Sequence, residues 1–545
     1  MSTKKEKADK PITYRLEHLN KTDFNLLLIL VIFGLILLAW SHRFIQDDAF
    51  ISFRYAQNLI EGYGLVWNPN ERIEGYTNFL WTLLMSFGIS IGIDPVSFSY
   101  TLGLIFFILT LTFTYKTSYL LMTSRVAGVI TVILLGTNYT FSSFATGGLE
   151  TQMQASLFIA SCFFVLEGWI LKSWTTTRIA LLSGLITLTL LTRLDSAILS
   201  IVIVSIPVIT IFRGHTVWAS RMKLLFMLTA PILIVVGGWF FWKLSYYGDI
   251  LPNSFYIKVA TETSITRGLN YLYLFTLSYL LFPFPFIWIA AVKELFKKSN
   301  LQIVILCLIF TLWLSYVVKI GGDFMEFRFL VPSLPLFFIV LGWLIFQYIK
   351  RTALQVALVV LIPIGSFYHG STFKYNIEDG IEDIRQLHGH LINPYENWIG
   401  IGKVLGKMFK DDTSLVIGTT AAGAIPYYSG LKTIDMLGVN DRWIADSGYF
   451  IGFVPGHQRI APFEYLLKRK VNLVISHPLV LKRTSRVQHI PLLPKNPGDD
   501  LSETQIMEIP LDTEYKFVVL YLAQSAVVDS AIKMYNWKAY KAAIR

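Results

Sequence analysis

The 545-residue chain contains few cysteines and few charged residues. Its two cysteines, Cys162 and Cys307, both lie inside apolar segments, which excludes a disulfide framework and a cysteine-based metal cluster. Charged residues make up 15% of the chain, whereas soluble globular proteins have about 25%. Together with a hydrophobic content of 54%, this shortage predicts a polytopic α-helical membrane protein.

The chain also lacks several motifs that mark metal, nucleotide and transport sites. Without HExxH, paired CxxC or clustered histidines, no tightly bound transition metal is predicted. The Gly-rich segment TTAAGAIPYYSG matches neither GxGxxG nor a Walker A loop, so we do not predict a nucleotide site there. No internal repeat is present, although transporters commonly have one.

The net charge of +11 does not indicate nucleic-acid binding, because the basic residues form short clusters between apolar segments. By the positive-inside rule these alternate loops are cytoplasmic. The basic start MSTKKEKADK, followed by the apolar run 24–40 without an A-x-A-like cleavage site, predicts an uncleaved signal anchor. Residues 1–23 are then cytoplasmic, and the loop after the first span is outside.

Apolar segments of about 17 to 25 residues can span a membrane as helices. Eleven such spans are predicted, at 24–41, 98–115, 126–143, 150–171, 178–193, 195–212, 224–243, 271–292, 301–319, 329–349 and 352–369. Counting the marginal run 77–92 as a further span would break the alternation of basic loops. That run is therefore predicted to be an interfacial or re-entrant helix within the outer loop 44–97.

The chain is thus predicted to have a membrane domain over 24–372 and an outer α/β domain over 373–545. The second domain has four strand-like runs, at 414–420, 432–437, 471–476 and 517–523, with helix-like segments between several of them. The polar stretch 494–503 is predicted to be a loop.

Two adjacent carboxylates, Asp47 and Asp48, follow the end of the first span. A carboxylate in this position can act as a general base on a hydroxyl group. The alternative is that one of them caps the amphipathic helix AFISFRYAQNLI, because Asp is a favoured N-cap residue.

Further polar and aromatic residues are predicted to gather at the same outer face. Singly they are explained as interface anchors, turns or self-contained ion pairs, but ionisable groups at membrane depth indicate a functional site. Arg193 suits a phosphate group, and Asp48, Glu150 and Asp323 form an alternative site for a weakly held divalent cation. The candidate donor- or acceptor-binding residues are Arg54, Tyr55, Glu74, Tyr76, Asn78, Trp81, Glu150, Arg193, Asp195, Asn253, Lys258, Asp323 and Arg328.

Several motifs between about residues 45 and 480 closely resemble the GT-C glycosyltransferases related to the mycobacterial terminal β-(1→2)-arabinofuranosyltransferases and to the Legionella LphB protein. The motifs are DDAFISFRYAQNLIEGYGLVWNPNERIEGYTNFLW, TGGLET, TRLD, GDILPNSFYIK, GGDFMEFRFLVPSLP and AAGAIPYYSGLKTIDMLGVND. One departure is that Glu326 and Phe327 occupy the His-Gly positions of the family's GGDYMHGR-like motif, which puts a His-dependent role there in doubt.

The resemblance implies an enzyme of the bacterial inner membrane that inverts configuration during sugar transfer. Its donor is a polyprenyl-phosphate sugar, with a pentofuranose such as arabinofuranose among the candidates, and its acceptor is a cell-envelope glycan or a lipid-linked saccharide. By this resemblance an Asp of the first outer loop is the base, with Asp47 favoured over Asp48. Two alternatives are a transporter or flippase of a lipid-linked saccharide and a non-catalytic scaffold for envelope assembly.

Overall fold

The structure is a computed structural model that describes residues 17, 19–214, 217–259, 265–297, 300–374, 376, 380–409, 412, 414–488 and 504–541, with Lys258 and Val259 described by backbone alone. The predicted loop at 494–503 therefore falls outside the described residues.

A bundle of helices occupies the first two thirds of the chain. Its helices are α1 (Lys21–Ser41), α2 (Asp47–Ile60), α3 (Phe79–Ser90), α4 (Pro95–Met122), α5 (Arg125–Gly136), α6 (Tyr139–Ser143), α7 (Thr151–Ile170), α8 (Thr176–Thr192), α9 (Ala197–Phe212), α10 (Trp218–Tyr247), α11 (Asn253–Val259), α12 (Ile265–Ser278), α13 (Pro283–Leu295), α14 (Leu301–Lys319), α15 (Leu334–Trp343) and α16 (Thr352–Thr372). Short 3-10 segments at Leu194–Ser196 and Arg328–Ser333 precede α9 and α15, and a π-helical turn at Leu344–Tyr348 follows α15.

Within the described residues, eight helical segments are long and apolar enough to cross a membrane. Each coincides with one of the predicted spans. The predicted spans 126–143 and 271–292 are not single helices, because Asn138 ends the first early by capping α6 and the second is broken into α12 and α13, which meet at 100°. The predicted span 178–193 forms the single helix α8, whose 17 residues are at the lower limit of a spanning length.

The break between α12 and α13 has a local cause. Leu280 has a positive φ of 54°, and Pro283 opens the next helix. Proline suits the first turn of a helix because its missing N–H would be unpaired there anyway. Counting the bent pair as one span gives up to nine spans for the described residues.

The marginal apolar run forms α3, which has 12 residues. At 1.5 Å per residue it is too short to cross a hydrocarbon core of about 30 Å. It packs against α2 and α4. Its length agrees with the prediction of a helix that does not span.

The C-terminal part is an α/β domain. Its helices are α17 (Ile384–Ile392), α18 (Trp398–Phe409), α19 (Ala424–Ser429), α20 (Arg442–Ser447), α21 (Phe463–Lys468) and α22 (Ala526–Tyr535). Its strands are β1 (Val416–Thr419), β2 (Lys432–Asp435), β3 (Tyr449–Phe450), β4 (Arg459–Ile460), β5 (Leu473–Lys482), β6 (Gln505–Pro510), β7 (Tyr515–Tyr521) and β8 (Lys538–Lys541).

Six strands form a mixed sheet in the order β2-β1-β5-β7-β6-β8. β1 pairs in parallel with β2 and β5, while β7 pairs antiparallel with β5 and β6. The four predicted strand-like runs are confirmed as β1, β2, β5 and β7. Every residue of β7 is buried, because the strand lies inside the sheet between β5 and β6.

The C-terminal domain packs directly on the loop that follows α1. Ile51, Tyr55 and Trp67 of that loop share a buried apolar cluster with Ala422 of the domain. One buried apolar cluster therefore joins the two parts.

Arg54 of α2 ties the loop to the domain through carbonyl groups. Its side chain is 5% exposed. Nε donates to the carbonyl of Trp67 at 2.7 Å, Nη2 donates to that of Leu431 at 2.7 Å, and Nη1 donates to that of Pro426. Arg54 therefore has a structural position and does not face a ligand.

We expect Arg54→Gln to destabilise the protein by roughly 3 kcal/mol, because it leaves buried carbonyls without donors. The midpoint of thermal unfolding in detergent measures this loss. Arg72→Gln is the matched control, since Arg72 is an exposed arginine of the same loop that stacks on Tyr246. An unchanged midpoint for Arg54→Gln would contradict the structural role.

Candidate active site

A cavity of about 360 Å³ lies between the helical bundle and the C-terminal domain. Its walls combine side chains of the first loop, of the bundle and of the domain. The polar and aromatic residues that matter here are Gln46, Asp47, Asp48, Tyr76, Asn78, Glu150, Arg193, Arg328, Glu382, His390, Trp398, Asp435, His457 and His477.

Asp47 is held by the backbone of the domain. Its Oδ2 accepts the N–H of Gly423 at 2.9 Å and its Oδ1 accepts that of Ala424 at 2.8 Å, at the start of α19. Burial raises the pKa of Asp47 to about 7, and the bond from Ala424 opposes that rise. The carboxylate thus joins the first loop to the domain.

Gly423 makes this contact sterically feasible. A Cβ atom at position 423 would lie 1.9 Å from the backbone oxygen of Asp47. Only a residue without a side chain allows the two backbones to approach so closely.

Asp48 faces the cavity and is only partly buried. Its backbone N–H donates to Oε1 of Gln46 at 2.7 Å. Burial raises the pKa of the Asp48 carboxyl, while the nearby charge of Arg328 lowers it. A raised pKa is closer to the pKa that an effective general base has near neutral pH.

The other carboxylates that line the cavity already have a hydrogen-bond donor or an ion-pair partner within the protein. Asp47 and Asp435 accept backbone N–H groups, Glu150 pairs with Arg193, and Glu382 pairs with His390. Among the described residues lining the cavity, Asp48 is therefore the carboxylate that has neither an ion pair nor a backbone donor.

Two guanidinium groups of the bundle, those of Arg193 and Arg328, line the cavity, and each is paired with carboxylates. Arg193 is fixed by Glu150 at 2.7 Å and by Asp195 at 2.6 Å, and Asn78 donates to the second oxygen of Glu150 at 2.7 Å. Arg328 donates through Nε to Asp323 at 2.6 Å. That bond uses one of the five guanidinium donors of Arg328, so further N–H groups remain for a ligand.

The domain contributes an aromatic and imidazole wall. His390 stacks on Trp398 with ring centroids 4.7 Å apart, and the ring of His477 meets Trp398 edge-on at 5.8 Å. Burial disfavours the charged form of His390, but Glu382 and Glu396 raise its pKa to about 10. Burial and the neighbouring His390 lower the pKa of His477. One imidazole is therefore charged and the other neutral near pH 7.

The charge on His390 predicts a pH dependence of stability. Its folded pKa of about 10 lies above the ordinary 6.5, so its stabilising contribution is complete below about pH 6.5 and is lost as the pH rises through about 10. We expect the midpoint temperature of unfolding to decrease as the pH is raised from about 7.5 to about 9.5, a range above the pKa of Asp47. The decrease should be smaller in His390→Gln. Equal slopes for both proteins would contradict this.

Several residues predicted to bind donor or acceptor support the cavity from behind. The hydroxyl of Tyr55 donates to the carbonyl of Ile73 and to the side chain of Asn440, and Trp81 donates to the carbonyl of Gly148. Glu74 forms an ion pair with Lys243 at 2.8 Å. Asn253 donates to the carbonyls of Gly438 and Val439. With Arg54, Asp195 and Asp323, these residues do not line the cavity. The side chain of Lys258 lies outside the described residues.

The predicted alternative of a cation shared by Asp48, Glu150 and Asp323 is not supported. Within the described part of the chain, no three His, Cys, Asp or Glu side chains come close enough to hold a metal ion. Glu150 and Asp323 each neutralise an arginine instead.

Sequence reasoning missed the domain wall. Four residues form this wall: Glu382 precedes α17, His390 lies in α17, Trp398 opens α18 and His477 lies in β5. The first three are close in the chain, and the packing of the sheet brings His477 to them. The available signal was the polar HGH motif at 388–390, placed just before a tryptophan.

The unusual pair Glu326 and Phe327 has a structural explanation. Glu326 is buried and accepts from Nε2 of His369 at 2.8 Å and from the N–H of Ile384 at 3.0 Å. Phe327 has a φ of 44°, in the left-handed region that favours glycine. A histidine of α16 thus lies beside the motif, and Phe327 keeps the backbone conformation that glycine adopts most easily.

Solved structures share this architecture at low sequence identity. ArnT from Cupriavidus metallidurans, bound to undecaprenyl phosphate, matches with a TM-score of 0.55 and 11% identity over 93% of this chain and 99% of that chain. The fold is of the GT-C type. AglB from Archaeoglobus fulgidus, in complex with an inhibitory peptide and a dolichol-phosphate, matches with a TM-score of 0.51 and 11% identity over 84% of this chain and 69% of that chain.

Two curated relatives of this GT-C-fold chain are named terminal beta-(1->2)-arabinofuranosyltransferase. The Corynebacterium glutamicum protein is 26% identical over 55% of this chain and 48% of its own length. The Mycobacterium tuberculosis protein is 24% identical over 45% of this chain and 39% of its own length. The chain thus matches less than half the length of these relatives. Residues 385–532 match a family model described as a domain of unknown function (DUF8728).

Proposed function

We propose that the chain is an inverting glycosyltransferase that takes a sugar from a polyprenyl-phosphate donor and passes it to a cell-envelope glycan or lipid-linked acceptor. The carrying observation is a single cavity lined by the carboxylate of Asp48, which has no ion pair, and by the guanidinium groups of Arg193 and Arg328. The charge of Arg328 acts on the Asp48 carboxyl. The names of the relatives and the undecaprenyl phosphate in ArnT support the same chemistry.

In this proposal Asp48 is the base, in place of Asp47, which the sequence favoured. Asp48 takes the proton of an acceptor hydroxyl as that oxygen attacks the anomeric carbon of the donor. The bond from that carbon to the phosphate oxygen breaks, and polyprenyl phosphate leaves with the bonding electron pair. One displacement inverts the anomeric centre and needs no covalent enzyme intermediate.

The two arginines act on the leaving group. Negative charge grows on the phosphate as the glycosidic bond breaks, and guanidinium donors stabilise that charge best when fixed beforehand. Arg193 is held in place by Glu150 and Asp195, and Arg328 by Asp323. The carboxylates that sequence reasoning assigned to binding thus orient the cations.

The acceptor binds on the domain side of the cavity. Trp398 lines that side, and His477 offers an imidazole group for the hydroxyls of a sugar ring, whereas both ring nitrogens of His390 are already bonded to Glu382 and Glu396. The names of the relatives favour a pentofuranose such as arabinofuranose as the transferred sugar. The domain over 373–545 and the cavity then lie on the periplasmic side of the bacterial inner membrane.

A transporter or flippase for a lipid-linked saccharide is the alternative, and a reconstituted assay separates the two. We expect the purified protein to transfer labelled sugar from a synthetic polyprenyl-phosphate sugar to a soluble acceptor, with release of polyprenyl phosphate. In liposomes we expect no protein-dependent movement of that lipid between leaflets. Movement without transfer would contradict the proposal.

A further inference from the structure

We propose that a second cavity of this protein binds the phosphate headgroup of an anionic phospholipid. This second cavity has a volume of about 540 Å³. It lies where the C-terminal ends of α1 and α16 meet the start of α17, at the end of the bundle that carries the C-terminal domain. The inference does not depend on the proposed glycosyl transfer.

The histidines and charged residues of the second cavity are all basic, beside neutral serine, threonine and tyrosine side chains. His42, Arg43, Arg385 and His388 line it, and the described residues of its wall include no Asp or Glu. Arg43 is exposed, stacks over the ring of Trp40 at 5.1 Å and donates to the Trp40 carbonyl at 3.3 Å. No described carboxylate lies within ion-pair distance of Arg43, so its charge is available to an anion.

Arg385 is only weakly neutralised. Its Nε lies 3.9 Å from Oδ1 of Asp383, and that oxygen also accepts the backbone N–H groups of Arg385 and Gln386. Nη2 of Arg385 donates to the carbonyl of Gly370 at 3.0 Å, which holds the guanidinium beside α16. The side chain remains 55% exposed. Two arginines from different elements therefore face one opening.

The floor of the second cavity is apolar and continues onto the surface that faces the membrane. Leu38 of α1 and Phe367 of α16 line it. Phe367 is 78% exposed and the adjacent Leu37 is 55% exposed, on two helices long and apolar enough to span a membrane. A site with cations above and apolar side chains below fits a charged headgroup with its hydrocarbon tail.

The second cavity is separate from the candidate active site. Phe44 lines the second cavity and Gln46 lines the first, and on α17 His388 faces the second cavity while His390 faces the first. The donor phosphate has Arg193 and Arg328 in the first cavity. Because phospholipid greatly outnumbers any polyprenyl carrier in a bilayer, mass action favours a phospholipid in an open site beside the membrane.

Native mass spectrometry of the full-length protein in detergent tests this inference. The probes are dioleoylphosphatidylglycerol and, as a zwitterionic reference, dioleoylphosphatidylcholine. We expect one phosphatidylglycerol to be retained in preference to phosphatidylcholine. Arg43→Gln combined with Arg385→Gln should weaken this binding about 30-fold, since each arginine near an anionic lipid contributes about fivefold.

Two further variants keep the test independent of misfolding. Arg72→Gln removes an exposed arginine that stacks on Tyr246 outside the second cavity, and should bind phosphatidylglycerol like the unmodified protein. Ser371→Glu places a negative charge in the exposed part of the second cavity without changing an arginine, and should also weaken binding.

Three results would overturn the inference. The first is equal retention of phosphatidylglycerol and phosphatidylcholine. The second is unchanged affinity in both the double arginine variant and Ser371→Glu. The third is displacement of phosphatidylglycerol by an equimolar amount of farnesyl phosphate, or by millimolar inorganic phosphate, which would assign the site to a polyprenyl carrier or to a free anion.

Discussion

Asp48→Asn should reduce the turnover number for sugar transfer by about a thousandfold while the affinity for the donor stays nearly unchanged. General bases contribute roughly 10² to 10⁴ to rate, and Asp48 is the cavity carboxylate without an ion pair or a backbone donor among the described residues. Steady-state rates with a synthetic polyprenyl-phosphate sugar measure the loss. Because the change is isosteric, the unfolding midpoint should remain close to that of the unmodified protein.

Asp47→Asn is the matched control because it changes the adjacent carboxylate. Asn can still accept one backbone N–H, but its NH₂ group would oppose the second donor at Gly423 or Ala424. We expect a lower unfolding midpoint and a turnover number, per folded molecule, within about tenfold of the unmodified value. A wild-type rate for Asp48→Asn, with loss of activity confined to Asp47→Asn, would reverse the assignment of the base.

Gly423→Ala should separate the C-terminal domain from the first loop. The new Cβ would lie 1.9 Å from the backbone oxygen of Asp47, so one of the two backbones must move. Movement would weaken both bonds from the α19 start to the Asp47 carboxylate. Overpacking costs about 1 to 3 kcal/mol and a hydrogen bond to a charged group about 1.5 to 3, so we expect a loss of roughly 3 to 5 kcal/mol.

Limited proteolysis and the unfolding midpoint measure this effect, and activity should fall to a few per cent because the cavity loses one wall. Gly389→Ala is the control: Gly389 lies in α17 of the same domain, and its Cβ would meet no atom within 4 Å. Normal protease resistance and stability in Gly423→Ala would show that Asp47 and α19 do not hold the domain in place.

The helices and strands were largely predictable because their patterns are local. Long apolar runs identify spans, and the short apolar run FVVLYLA at 517–523 identifies strand β7. The sequence could not show that α12 and α13 meet at 100°, since a hydropathy average counts Leu280 as one more apolar residue and does not register its left-handed backbone.

The candidate site was only partly predictable for a related reason. Polar residues next to span ends identified Asp48, Glu150, Arg193 and Arg328, all of which line the cavity. The same rule also selected Arg54, whose guanidinium bonds to carbonyls of the domain instead. Whether an interfacial charge faces a ligand or the backbone of a distant segment depends on tertiary packing, which a single sequence does not reveal.

The choice between Asp47 and Asp48 illustrates the same point. Adjacent residues on a helix point in different directions, about 100° apart, so at most one can face a given substrate. The deciding partner, the start of α19, lies far along the chain from Asp47. Only the packing of the domain on the loop identifies Asp47 as the anchor.

The most direct test of the proposed single displacement is the anomeric configuration of the product. Purified protein would be supplied with a polyprenyl-phosphate sugar of known configuration and an acceptor, and NMR would follow the anomeric proton of the product. We predict an inverted centre and one polyprenyl phosphate released for each sugar transferred. A retained configuration, or transfer without release of polyprenyl phosphate, would contradict the account.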